Sequence, residues 1–124
     1  MKLTNSEIYN LTQMLNINFQ NGEQKLPIKI GFAIQKNKKT LMGLAQDIEQ
    51  SRIDIIQNYG VLNEETQQFN IPEDKISETQ KELLDLFNIE QEVNICTIKA
   101  ESLSDNIELT MSQMEAIMFM IEEA

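Results

Sequence analysis

Five side chains between positions 29 and 59 have the chemistry to capture an anion: Lys29, Lys36, Asn37, Arg52 and Tyr59. Arg52 offers a planar fork suited to phosphate or carboxylate. Lys29 and Lys36 are point charges, Asn37 is a neutral donor, and the Tyr59 ring has a face on which a base could stack. Two of the five also have structural readings. Asn37 falls within an apolar helical seam, where a polar residue sets register. Arg52 lies at the edge of the same seam, where a long cation snorkels and pairs with a carboxylate. The sequence leaves both readings open.

Chemistry of other kinds lacks its residues. The chain has no histidine, which removes the commonest general base, the usual hydrolase triads and most zinc sites. It has no Gly-Lys-Ser/Thr phosphate loop, no GxGxxG and no Asp-rich calcium loop. Its paired carboxylates, Glu64/Glu65, Glu73/Asp74 and Glu122/Glu123, fall in a loop, a first helical turn and a tail, which are solvated positions. The expectation is a binding protein and not an enzyme, with no cofactor and no metal.

The elements that must position these residues are read from periodicity. Residues 25–60 form one long helix, opened by Pro27, a residue tolerated in a first turn. Gly60 closes it, as a left-handed terminator. About 32 residues lie between, roughly 48 Å. Ile30, Ile34, Asn37, Leu41, Leu44, Ile48, Ser51, Ile55 and Asn58 alternate at spacings of four and three, an a/d seam. Ile28, Phe32, Met42 and Ile53 fall on nearly the opposite side. Two stripes call for two partners: the rest of the chain, and a second copy docked through residues 27–59.

Around this helix the pattern predicts a mainly helical α+β domain, single over residues 1–124, with antiparallel helical neighbours and a small antiparallel sheet. Met1–Leu3 read as a short strand. Thr4 and Glu7 form a capping box for a helix through Asn18. Asn21-Gly22 is a turn. Residues 61–65 read as a connection and residues 67–71 as a short strand. Pro72 opens a helix with Ile76, Leu83, Leu84 and Phe87 inward, ending at Asn88. Residues 92–98 read as a strand partnered by residues 107–109, across a turn at Ser104, Asp105 and Asn106. Thr110 and Gln113 box the last helix, with Met111, Met114, Ile117, Met118 and Ile121 on its apolar face.

At 124 residues and 41% apolar content the chain is large enough for a real core. No apolar run is long enough for a membrane span. No secretory signal is visible at the N-terminus, and the single cysteine, Cys96, precludes an internal disulfide, so the reading is intracellular. Net charge is −10, which disfavours direct DNA or RNA binding. The charge is segregated. Residues 1–60 hold seven Lys/Arg against five Asp/Glu, and residues 61–124 three against fifteen. Lys25, Lys29, Lys36, Lys38 and Lys39 fall in a stretch without one acid. This patch at residues 25–39 either holds a small anion or pairs with the acidic second half.

Lys25-Leu26-Pro27-Ile28-Lys29, Lys36-Asn37, Leu41, Leu44, Arg52 and Tyr59-Gly60 together resemble a family of small, functionally unassigned proteins of tailed phages and prophages of Gram-positive bacteria. The likeness extends more loosely to residues 93–98 and 110–123. It implies expression in the cytoplasm of an infected host bacterium and no particular reaction. Three roles then stand as expectations. The first is counter-defence by sequestering a nucleotide immune signal in a homo-oligomer pocket, with Arg52 as a phosphate ligand. The second is an acidic inhibitor of a host defence protein, and the third a virion or assembly structural protein.

Overall fold

The computed structural model describes residues 1–20, 26–103 and 107–122; the expected turns at 21–22 and 104–106, and the lysine at 25, lie outside them. The chain runs β1 (Lys2–Thr4), α1 (Asn5–Asn18), α2 (Ile28–Tyr59), β2 (Val61–Asn63), β3 (Gln68–Asn70), α3 (Ile76–Phe87), β4 (Glu90–Glu92), β5 (Ile98–Lys99), α4 (Met111–Ile117) and β6 (Ile121–Glu122), with single 3₁₀ turns before α3 and after β5 and α4. This is the mainly helical α+β architecture that periodicity predicts, built around one long helix.

α1 starts where its capping box dictates. Thr4 Oγ1 accepts the Glu7 N–H at 3.1 Å, and the Glu7 carboxylate accepts the Thr4 N–H at 3.0 Å. α1 packs against α2 with its C-terminal end near Lys38, and Ile8 and Leu15 are buried in one core with Ile30, Ala33, Ile34, Leu41 and Ile48. Ala116, Ile117 and Met120 complete the core from the C-terminal end, with Val93 and Ile98 alongside. Each fully buried Ile or Leu contributes about 1.5–3 kcal/mol. The seam therefore holds over its first five turns, and the core faces only that side of α2.

Three strand pairs close the ends. β1 pairs antiparallel with β4, β2 with β3 in a hairpin, and β5 runs parallel to β6, with Ile98 opposite Ile121. Several expectations are corrected here. Residues 61–63 are a strand and not a connection. Residues 92–98 do not form one strand, because the Cys96 N–H and C=O are both taken by a side chain, Asn37. Residues 107–109 are not its partner; β6 is, so the last helix ends at Ile117 and its chain extends by Ile121. Ile117 is buried as its spacing predicts, but Met111 and Met118 are exposed, and Ala116 and Met120 face inward instead. In α3, Thr79 is buried and Leu83 half-buried, while Ile76 and Leu84 are exposed.

Gly60 is also corrected. Its φ is −88° and ψ 158°, extended backbone open to any residue. Glycine is needed there for space: a Cβ would lie 2.7 Å from the Ile56 carbonyl oxygen and 3.1 Å from Phe69 Cβ. Gly60→Ala is expected to destabilise the protein by about 1–3 kcal/mol through this overpacking, measured as a lower urea midpoint at unchanged slope; an unchanged midpoint would show that the hairpin yields without cost.

Candidate ligand groove on the outer face of the long helix

The face of α2 turned from the core carries Ile28, Phe32, Lys39, Met42 and Gln46, all exposed. α1 ends alongside it. Between them runs an open groove of about 1330 Å³, walled by Asn16 and Gln20 of α1 and floored by Phe32, Gln35, Lys39 and Gln46 of α2. A shallower depression of about 490 Å³ continues past Lys39 and Gly43 towards Glu92 and Asn94. Apolar surface, carboxamides and ammonium groups thus share one concave strip.

The lysines here differ in what holds them. Lys38 donates to the Phe19 carbonyl at 3.0 Å, placing a cation at the negative end of α1. Lys36 Nζ lies 5.9 Å from the centroid of the Phe32 ring, a cation–π contact that keeps the ammonium at the groove edge. Among the described residues, Lys29, Lys36 and Lys39 make no ion pair with a carboxylate. Among the described residues these lysines of the basic patch are therefore not neutralised by the acidic second half within the chain.

The five residues singled out by type do not form one site. Lys36 lines the groove. Lys29 is exposed two turns earlier on the adjoining flank. Asn37 is fully buried. Its Nδ2 donates to the Cys96 carbonyl at 2.8 Å, and its Oδ1 accepts the Cys96 N–H at 2.7 Å. No capacity is left for a ligand, so Asn37 is the register-setting amide. Arg52 lies about 20 Å beyond Lys39 along the axis and donates through Nε, at 3.0 Å, and Nη2 to both oxygens of Glu49. This hydrogen bonding holds the Glu49 carboxyl below its ordinary range and raises Arg52. Tyr59, at the far end of α2, faces α3. Burial first, then the neighbouring carboxylates of Glu82 and Glu78, push its phenol up.

The residues that spacing and type left aside are Asn16, Gln20, Phe32, Gln35, Lys39 and Gln46. Phe32 and Lys39 were legible as members of the outer stripe and the acid-free run. The contribution of α1 was not, because it depends on how the two helices pack. Among the described residues no group of three or more Cys, Asp or Glu could hold a metal ion. Comparison with family models, curated proteins and solved structures finds no match, so the groove is read from its own chemistry.

Two outcomes follow. Asn37→Ala should cost roughly 2–3 kcal/mol, because it leaves both Cys96 backbone groups unpaired, read from urea unfolding; a cost near zero would mean that water replaces the amide freely. Arg52→Ala should cost no more than about 0.5 kcal/mol, since both partners are over a third exposed. Glu49 has its folded pKa depressed, so the pair's contribution is present above the ordinary carboxylate range and lost as pH falls through the folded value. The difference between wild type and Arg52→Ala should therefore vanish on acidification, in melts across pH; a difference that persists in acid would assign Arg52 a packing role.

Proposed function

We propose that the chain is a non-enzymatic binding protein that captures a small anionic ligand of the nucleotide class, as a homo-oligomer, in the groove along α2. The observation that carries this reading is Lys39. It has no carboxylate partner among the described residues and lines both depressions beside Phe32 or Gly43. Lys39 supplies the charge for phosphate. Phe32 supplies a face for a base, and Gln35, Gln46, Asn16 and Gln20 supply donors and acceptors for its edge. Arg52 and Tyr59, committed to Glu49 and to α3, have no part in it. The groove is too open to exclude water, which suits capture better than reaction. Together with the resemblance to small phage proteins, this reading makes the role counter-defence in an infected bacterium: removal of a nucleotide immune signal.

A second reading has one observation in its favour. The β2–β3 hairpin exposes Val61, Leu62 and Phe69 beside the exposed Glu64 and Glu65. An acidic, apolar tip of this kind suits a basic groove on a host defence protein.

Titration with a panel of cyclic and linear nucleotides, followed by melting temperature and native mass spectrometry, separates the two. Capture in the groove predicts a ligand-dependent rise in Tm. It also predicts a loss of about tenfold or more in affinity for Lys39→Glu, the scale of one charge-assisted hydrogen bond, with Arg52→Ala binding as wild type. No binding across the panel, or equal binding by Lys39→Glu, would contradict it.

A further inference from the structure

The outer face of α2 alternates apolar residues with Gln35, Lys39 and Gln46 along its centre and is charged along one flank. With about 100° per residue, Ile28, Phe32, Met42 and Ile53 lie within roughly 40° of one line. Ile28 is 87% exposed and Phe32 63%. Four exposed charges, Lys29, Lys36, Asp47 and Asp54, lie on one side of that line, within roughly 20° of one another. The two cations occupy the first half of the helix and the two acids the second. None of the four makes an ion pair within the chain among the described residues.

We infer that this face is covered by α2 of a second copy, running antiparallel about a twofold axis that crosses the helix between Leu41 and Met42. That axis sets Lys36 of one copy beside Asp47 of the other and Lys29 beside Asp54, each pair formed twice. The rotation brings the same flank of both helices together, so the pairs meet on one side. A parallel pairing, with its twofold axis along the helices, would carry the charged flank of one copy to the side opposite that of the other, so neither ion pair would form. Gly43 lies on the same face beside the axis, and a Cβ built there meets nothing within 4 Å, so no side chain holds the helices apart at their crossing. Ile28 of one copy then lies over the second half of its partner's helix, near Ile53.

This pairing rests on the reading of the groove as the working surface and deepens it. One Lys39 from each copy falls on either side of the axis, about 7.5 Å apart along the helices. Two like charges at the centre of a contact are unfavourable alone and are neutralised by an anion between them. The nucleotide is thereby held by both copies, and the open groove gains its missing wall.

Sedimentation velocity on the full chain without nucleotide tests the pairing apart from the ligand. A dimer is expected, weakened by high salt. Lys36→Glu should raise the dimer Kd about tenfold, because two ion pairs become repulsive, and Lys36→Glu/Asp47→Lys should restore it. Circular dichroism establishes that each variant is folded. Oxidation of Gly43→Cys should cross-link the dimer, and oxidation of Ile28→Cys should not. A monomer at all concentrations, a dimer indifferent to Lys36→Glu, a charge swap that fails to restore it, or cross-linking through Ile28→Cys overturns the pairing. A dimer with these properties that takes up no nucleotide supports the pairing and removes the reading of the groove.

Discussion

The carboxamide of Asn37 accepts from and donates to the backbone of Cys96, and most of the fold is arranged around that pair of hydrogen bonds. It ties the middle of the long helix to the segment between β4 and β5. Sliding or rotating α2 by one position would leave a buried amide and two backbone groups unpaired, at a cost of several kcal/mol. Met120, fully buried, packs against the same amide with its sulfur 3.5 Å from Nδ2. The C-terminal chain is thereby locked to the helix centre, and β6 is delivered to β5. A second buried amide, Asn5, does the same for the N-terminus. Its side chain donates to the Leu86 carbonyl and accepts from Gln91, fixing α1 against α3 and β4.

This anchoring decides which face of α2 is left over. The seam from Ile30 to Ile48 is consumed by α1, α4 and the extended chain around Val93. The opposite face keeps Ile28, Phe32 and Met42 exposed and the lysines of the first half without an ion pair among the described residues. A helix of 32 residues with an apolar stripe on each side leaves one stripe exposed in a single copy, as interaction surfaces are, and the segregation of its outward charges is what the proposed antiparallel pairing rests on. In the proposed reading, capture of an anion and self-association are two uses of one surface, with Lys39 belonging to the first and Lys36 to the second.

Much of the architecture was legible because it is written in local rules. Two capping boxes, at Thr4 and Thr110, and the period of the seam placed α1, α2 and the start of α4 to within a residue or two. The strands were legible only in part: residues 1–3 and 67–71 fall on β1 and β3, while the strand pairings did not show. The run Val93–Ile98 alternates as a strand should, yet Asn37 takes the backbone groups of Cys96 that a neighbour would need. The partner of Ile98 comes from Ile121, which helical spacing alone assigns to α4. Site residues chosen by type fared unevenly for the same reason. Arg52 was marked for its fork, and Glu49, three residues earlier, already fills it. Lys39 was visible only as one of a basic run, and its place on the groove depends on where α1 ends.

Hydroxyl-radical footprinting of the wild-type protein tests most directly whether the outer face of α2 is the surface in use. Phe32, Met42, Met111 and Met118 are all exposed in a single copy. On raising protein concentration and adding a nucleotide, Phe32 and Met42 should become protected while Met111 and Met118 keep their reactivity. If Phe32 and Met42 oxidise as readily as Met111 and Met118 under every condition, the face is bare and both the groove and the pairing fail.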